Sequence, residues 1–324
     1  MKIAMLSFWH VHAKDYAEEA LQHPLVDIAA IWDEDAERGR REAEKRGVPF
    51  YASLEEVLAL PDIEGVVIDT PTNRHHDVMI QAAEAGKHIF TEKVLAATTS
   101  EAEAIIAAAD RAGVILMVSM PRLDHDYTST IKDVLHAGRL GKLTQARVRF
   151  AHNGAIAEWL PEHFYDAEAC QGGALIDLGC HPVYLNRLFL GMPQSVQTSF
   201  NYVTGREVED QATVLFQYDH GAVGIAETGF VNAFAPFTIE IHGTEGSLTL
   251  GIPDEKVRIR TQDTGGEWEV VPMKEARPTT FSQWVTQIDK RERADENLQM
   301  ALDLTRLMEA AYQAEREKKS VQIT

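Results

Sequence analysis

The sequence predicts an α/β protein of two domains. A doubly wound parallel sheet comes first. A second α/β domain, built on a large, mostly antiparallel open sheet, follows it. Three observations predict this. Short apolar strands alternate with amphipathic helices over the first 120 residues. Those strands are nearly unbroken apolar runs, as expected where helices cover both faces of a parallel sheet. After about residue 120 the chain changes to closely spaced alternating strands with few helices between them. A length of 324 residues suits two domains, divided here as 1–120 and 121–324.

In the first domain the strands are "KIAML" (2–6), "VDIAAIW" (26–32), "GVVIDT" (65–70), "KHIFTE" (87–92) and "VILMVS" (114–119). Helical periodicity lies between them, at about 11–21, 35–46, 53–58, 73–85 and 100–112. Ser100 reads as an N-cap, with Glu101 and Glu103 in the first turn. Gly86 and Gly113 stand where helix C-caps belong. In the second domain helices are expected at about 127–137 and 173–190. Strands are expected at "VQTSFNY", "QATVLFQY", "AVGIAETGF", "FTIEIHG", "GSLTL", "KVRIR" and "EWEVV". "YDHGA" and "HGTEGS" have the chemistry of hairpin turns. A polar helix at about 295–316 closes the chain, before "SVQIT".

The formal net charge of −19 argues against nucleic acid or an anionic membrane as a partner, because both demand a basic face. No run approaches 18 apolar residues, and the N-terminal apolar run is too short for a signal peptide. Cys170 and Cys180 form no metal-type pair and read as small buried thiols in a reduced, cytoplasmic protein.

"MLSFWHVHAKDY" (5–16) occupies the strand-to-helix turn where a dinucleotide-binding domain carries G-x-G-x-x-G. Ser7, Trp9 and His12 stand in place of the glycines. A helix N-terminus keeps its free N–H groups and dipole whatever the side chains, so a pyrophosphate can still be held there. His10 and His12 form an H-x-H pair. With no Cys or further His-acid set close in sequence, no metal site is assigned. Asp33 ends the second strand. An acid there hydrogen-bonds the adenosine ribose and repels a 2′-phosphate, which favours NAD over NADP; a helix cap is the other reading.

"TPTNRHHDVMIQAAEAGKHIFTEK" (70–93), "GGALIDLGCHPVYLNRLFLG" (172–191) and "IEIHGTEGSLTL" (239–250) follow in order. Together they resemble the signatures of the glucose-fructose oxidoreductase, inositol dehydrogenase and MocA family. The resemblance implies an N-terminal Rossmann domain and a C-terminal α/β sheet domain. It also implies NAD(P)-dependent redox chemistry on a sugar, cyclitol or related polyol, and a homodimer or homotetramer formed through the C-terminal sheet. Two departures stand out: the missing glycines, and Glu92-Lys93-Val94 where the family has E-K-P.

On this resemblance Lys93, Asp177 and His181 are the expected catalytic residues. Lys93, at the carboxyl end of a strand, would polarise a substrate hydroxyl. His181 would take the hydroxyl proton, and Asp177 would bind a neighbouring hydroxyl or orient the ring. Gly179 between them would let a ring approach the backbone. Ser7, Trp9, His10, His12, Asp33, Thr70, Pro71, Asn73, His75, Glu92 and Lys93 are the expected cofactor-binding residues, with Thr72 or Asn73 as an alternative helix cap. Arg122, Trp159, His163 and Tyr165 join the catalytic three as expected substrate contacts. The last three serve equally well as interface packing. The altered turn leaves two alternatives: a sugar- or nucleotide-binding protein without turnover, or an enzyme using NAD transiently for non-redox sugar chemistry.

Overall fold

The computed structural model describes residues 1–323. The chain forms two compact units, one of residues 1–120 with Pro278–Leu302, the other of Pro121–Arg277 with the chain from Asp303 onward. The stretch 278–302, grouped above with the second domain, therefore folds with the first.

The first unit begins β1 (Lys2–Leu6), α1 (Ala13–Gln22), β2 (Asp27–Trp32), α2 (Ala36–Arg46), β3 (Phe50–Tyr51) and α3 (Leu54–Leu58). It continues β4 (Gly65–Ile68), α4 (His75–Glu84), β5 (His88–Thr91), α5 (Thr99–Ala112) and β6 (Leu116–Val118). The six strands are all parallel, in the order β3-β2-β1-β4-β5-β6. This is the doubly wound dinucleotide-binding order, with its switch point between β1 and β4. The two-residue β3 was not expected. α5 is capped by Thr98, not Ser100: Thr98 and Glu101 exchange side-chain and backbone hydrogen bonds in a capping box. Gly113 ends α5 at φ 67°, the left-handed conformation that glycine adopts freely.

In the second unit come α6 (Asp126–His136), β7 (Leu143–Ala151), α7 (Ala167–Cys170), a π-helical turn (Leu175–Gly179) and α8 (Cys180–Leu190). Strands β8 (Ser195–Asn201), β9 (Gln211–Gln217), β10 (Val223–Gly229), β11 (Thr238–Gly243), β12 (Gly246–Leu250), β13 (Arg258–Thr261) and β14 (Glu269–Val270) follow. After them α9 (Thr280–Lys290) returns to the first unit, α10 (Asp295–Glu317) spans the division, and β15 (Val321–Gln322) ends the described chain. The nine strands run β14-β13-β12-β11-β7-β10-β9-β8-β15, and every neighbouring pair is antiparallel except β7 with β10.

Among the elements that escaped the sequence, two are long. β7 is central, yet Arg147 and Arg149 alternate with Ala146 and Val148 and dilute its apolar signal. Arg147 forks onto Glu227 of β10 at 2.8 and 2.9 Å. α9 buries Phe281, Trp284 and Val285 in the core cluster with Met5, Tyr16 and Phe90. Its Trp284 packs so closely on β4 that a Cβ at Gly65 would lie 2.8 Å from the indole. Burial of Phe281 alone contributes about 1.5–3 kcal/mol.

Candidate active site

In the first unit the candidate residues sit on loops at the carboxyl ends of β1, β2, β4 and β5, where parallel sheets build ligand sites. After β1 the chain turns through Ser7, which takes φ 79° and is fully buried. Serine thus adopts the left-handed conformation that the first glycine would. The turn is tied internally. The Phe8 N–H donates to Asp33 at 2.9 Å, Trp9 to Ser7 Oγ at 3.0 Å, His10 to Asp69 O at 3.2 Å and His12 to His10 Nδ1 at 3.2 Å. α1, by contrast, starts without a side-chain cap; the Ala13 N–H donates to His10 O at 3.2 Å and the Tyr16 N–H to His12 O at 3.0 Å, which leaves the Lys14 and Asp15 N–H groups as the first-turn donors for an anion.

Asp33 differs from the expectation. Its carboxylate is buried and accepts from Phe8 N, Asp35 N and the guanidinium of Arg38, at 2.6 to 3.2 Å. Arg38 also donates to Glu34 at 2.6 Å. The cap of α2 is Asp35, which accepts from Glu37 and Arg38 N–H. An arginine therefore stands beside the acid, five residues along in the first turn of α2.

After β4, Thr70 and Pro71 are buried and Asn73 is exposed. Neither Thr72 nor Asn73 caps α4 with its side chain. His75 is buried, with ring nitrogens 2.9 Å from Val94 O and 3.1 Å from Thr70 O. Both ring nitrogens lie against carbonyl oxygens of two loops, and the neutral ring donates to one of them. Burial lowers its pKa against the pull of the two carbonyls.

Lys93 is 5% exposed, unlike a surface lysine, and its Nζ lies 3.3 Å from Glu92 Oε1. The Lys93–Val94 peptide is cis. Burial favours a neutral Glu92, but Lys93, His10 and His12 outweigh it and hold the carboxyl well below the usual range. The Tyr16 hydroxyl donates to Glu92 Oε2, and its oxygen lies 2.7 Å from Ser119 Oγ. Burial, then Glu92 and Asp69, push the Tyr16 phenol well up. Asp69 is fully buried and neither carboxylate oxygen has a hydrogen-bond partner. Burial first, and then Glu92, raise its pKa far above the ordinary carboxylate range.

In the second unit, His181 is 4% exposed at the start of α8. The Tyr184 hydroxyl lies 2.8 Å from His181 Nδ1 and accepts the Arg122 backbone N–H at 3.1 Å. Nδ1 is thereby engaged by the protein. Phe150 stacks edge-on against the imidazole at 5.4 Å. The Arg122 guanidinium lies over Phe150 at 3.9 Å and over Phe237 at 4.1 Å, and donates to the Tyr127 hydroxyl at 3.0 Å. Arg122 and His181, two expected substrate contacts, thus share Phe150 and Tyr184. Phe150, Tyr127 and Phe237 had no motif to mark them, and Tyr184 lies within 172–191 without having been singled out.

Asp177 lies in the π-helical turn and is half-buried. It opposes the burial that lowers the pKa of His152, and it adds to the burial that pushes the Cys170 thiol up to about 12. Cys170 is therefore an inert thiol at neutral pH. Gly179 makes room not for a ligand ring but for the protein: a Cβ there would lie 2.8 Å from Leu175 and from Thr228 of β10. Trp159 is 55% exposed and stacks on His152 at 4.6 Å, and His152 stacks on Phe230 at 5.0 Å. Tyr165 is buried in the cluster with Phe164 and Phe230, under Arg206 at 3.4 Å. The His163 carbonyl accepts from the Cys170 thiol at 3.2 Å.

Residues 7–120 match the model of an oxidoreductase family with an NAD-binding Rossmann fold, and residues 128–249 match the GFO/IDH/MocA C-terminal domain. The chain is 28% identical over 244 residues to 1,5-anhydro-D-fructose reductase of Ensifer adhaerens, covering 73% of this chain and 72% of that one. It is 25% identical over 306 residues to an NADP+-dependent scyllo-inositol 2-dehydrogenase of Bacillus subtilis, covering 91% and 92%. The crystal structure of GenD2 from gentamicin A biosynthesis, in complex with NAD, superimposes with a TM-score of 0.84 at 25% identity, covering 100% of this chain and 96% of that one.

Proposed function

Because the chain belongs to the GFO/IDH/MocA oxidoreductase family, we propose that it transfers a hydride between a nicotinamide cofactor and a carbinol carbon of a sugar, cyclitol or related polyol. The observation that carries this reading is the buried Lys93–Glu92 pair at the carboxyl edge of the parallel sheet. A lysine kept dry and beside a carboxylate is suited to polarising a hydroxyl and holding its proton. His181, with Nδ1 held by Tyr184, offers Nε2 as the group that accepts or returns that proton. Asp177 binds a neighbouring hydroxyl. Arg122 and Trp159 present a cation and an exposed aromatic face to a polyol.

The residues present fit a dinucleotide through the uncapped N-terminus of α1 and the loop 70–73, with the Asp33–Arg38 pair at the adenosine end. Bound NAD(P) supplies the hydride acceptor or donor. The N–H groups of the turn itself are already engaged, so the pyrophosphate rests on the helix and not in the turn. That same internal bonding supports the alternative reading, a family member that binds a sugar or nucleotide without net turnover.

The test is a panel of sugars, cyclitols and polyols with NAD and NADP, read by nicotinamide absorbance. Net reduction of the cofactor with one class supports the dehydrogenase. Ligand binding without net reduction moves the binding protein, or a transient use of NAD, to first place.

Within this reading NAD is the preferred cofactor. Arg38 is tied by hydrogen bonds to both Asp33 and Glu34, so a 2′-phosphate would have to displace two carboxylates to reach it. Calorimetric titration should find NAD binding tighter than NADP. Equal or tighter NADP binding would release Arg38 from its carboxylates and remove Asp33 from this role.

A reduced, cytoplasmic setting is supported by two free, buried cysteines, and no described helix is long and apolar enough to cross a membrane. A dimer or tetramer formed through the nine-stranded sheet is supported by a groove of about 420 Å³ on that sheet, lined in part by Thr238, Leu250, Ile252 and Trp268. Ile252 and Trp268 are 56% and 43% exposed, an apolar surface suited to a partner. Light scattering should give two or four chains, and Trp268→Glu should lower that number. A monomeric wild type would end this part of the proposal.

A further inference from the structure

Metal-ligating side chains converge in the first unit across a sequence distance that hid them. His10, His12 and Glu92 each offer a ligand atom, and these atoms lie within 4.8 Å of one another. His12 Nδ1 and Glu92 Oε2 are 3.4 Å apart. Two donors on one tetrahedral dication, with bonds of about 2.0–2.1 Å, stand roughly that far apart. We propose that His10, His12 and Glu92 form a site for one divalent transition-metal ion.

The surroundings point the same way. Glu92 is 1% exposed, and its Oε1 is buried without a hydrogen bond. The Tyr16 hydroxyl bonds Oε2 and so orients the carboxylate, as partners of metal ligands commonly do. Asp69, whose backbone carbonyl accepts the His10 N–H at 3.2 Å, is fully buried with both side-chain oxygens unpartnered. A dication would join Lys93 in balancing the buried Glu92 carboxylate.

Two imidazoles and one carboxylate suit Zn²⁺, Fe²⁺ or Co²⁺ more than Mg²⁺ or Ca²⁺, which take oxygen ligands. Three protein ligands also leave a coordination position open to an oxygen of a bound small molecule. Whichever nitrogen of a neutral His10 takes the ion, the 3.2 Å bond from the His12 N–H to its Nδ1 is given up. The site is independent of the dehydrogenase reading, because the ion is titrated with no dinucleotide present.

The experiment is calorimetric titration of chelator-treated full-length protein with Zn²⁺, paired with the visible spectrum of the Co²⁺-loaded protein. One ion per chain is expected, with Co²⁺ bands of a nitrogen- and oxygen-ligated centre. Glu92→Gln and His12→Ala should each weaken Zn²⁺ at least tenfold and alter the Co²⁺ bands. His12 has a side chain 35% exposed, so His12→Ala, checked by circular dichroism, carries the test if Glu92→Gln does not fold. Zn²⁺ bound equally well by folded His12→Ala would place the ion on other histidines and overturn the proposal. So would a wild type that binds no ion.

Discussion

Replacing His181 with alanine is expected to lower kcat by about 10²- to 10⁴-fold, the usual worth of a positioned general acid–base group. Substrate KM should change far less. The ring is 4% exposed, wedged against Phe150 and held at Nδ1 by Tyr184, so it enters the reaction already oriented. Tyr184→Phe separates positioning from proton transfer. It keeps the ring packing and removes the hydroxyl from Nδ1. A smaller drop in kcat is expected, together with a shifted pKa in the profile of kcat/KM against pH. Near-native turnover of His181→Ala on the true substrate would show that another group moves the proton.

Trp9→Gly is expected to cost the fold about 3–5 kcal/mol, the range for removing a large buried aromatic side chain. Trp9 is 9% exposed. Glycine also gains backbone freedom in the unfolded chain. The melting temperature should fall by roughly 10 °C. Tighter NAD binding is not expected, although the substitution restores a fingerprint glycine. The N–H groups on either side of residue 9 are bonded to Asp33 and Asp69, and its own to Ser7, so the glycine frees no donor for a phosphate. A stable variant with much tighter NAD would mean that the indole merely blocks the cofactor. The binding-protein reading would then lead.

The parallel half of the fold was legible because its strands are continuous apolar runs and its helices begin and end on recognisable residues. The second unit was legible as a sheet but not in its centre, since β7 carries an arginine at alternate positions and looks like surface. α9 was missed because it lies far along the chain from the sheet it covers; only packing on Phe90 and β4 gives it a reason to be there. The site divides the same way. Lys93, Asp177 and His181 were named from short motifs. Phe150 and Asp69 were not, because the first acts by touching a residue distant in sequence and the second by lacking a partner; Tyr184, within the motif, shows its role only once its hydroxyl is seen against His181 and the Arg122 N–H. The H-x-H pair was read without a third ligand for this reason: Glu92 follows His12 by 80 positions and is brought beside it by parallel strands β1 and β5, which flank β4.

The π-helical turn at Leu175–Gly179 has a consequence for angular phase. An α-helix advances about 100° per residue, and a wider turn slips that count. A wheel drawn with one α-helical period through 173–190 miscounts the angle between residues before the turn and residues after it. Where each side chain aims is decided by the slip. The direction of His181 is thus stored in the length of the segment before it as much as in the identity of the histidine. A relative with the same motif but one residue fewer in that turn would carry an imidazole pointing elsewhere, and would match this chain in letters while differing in its active face.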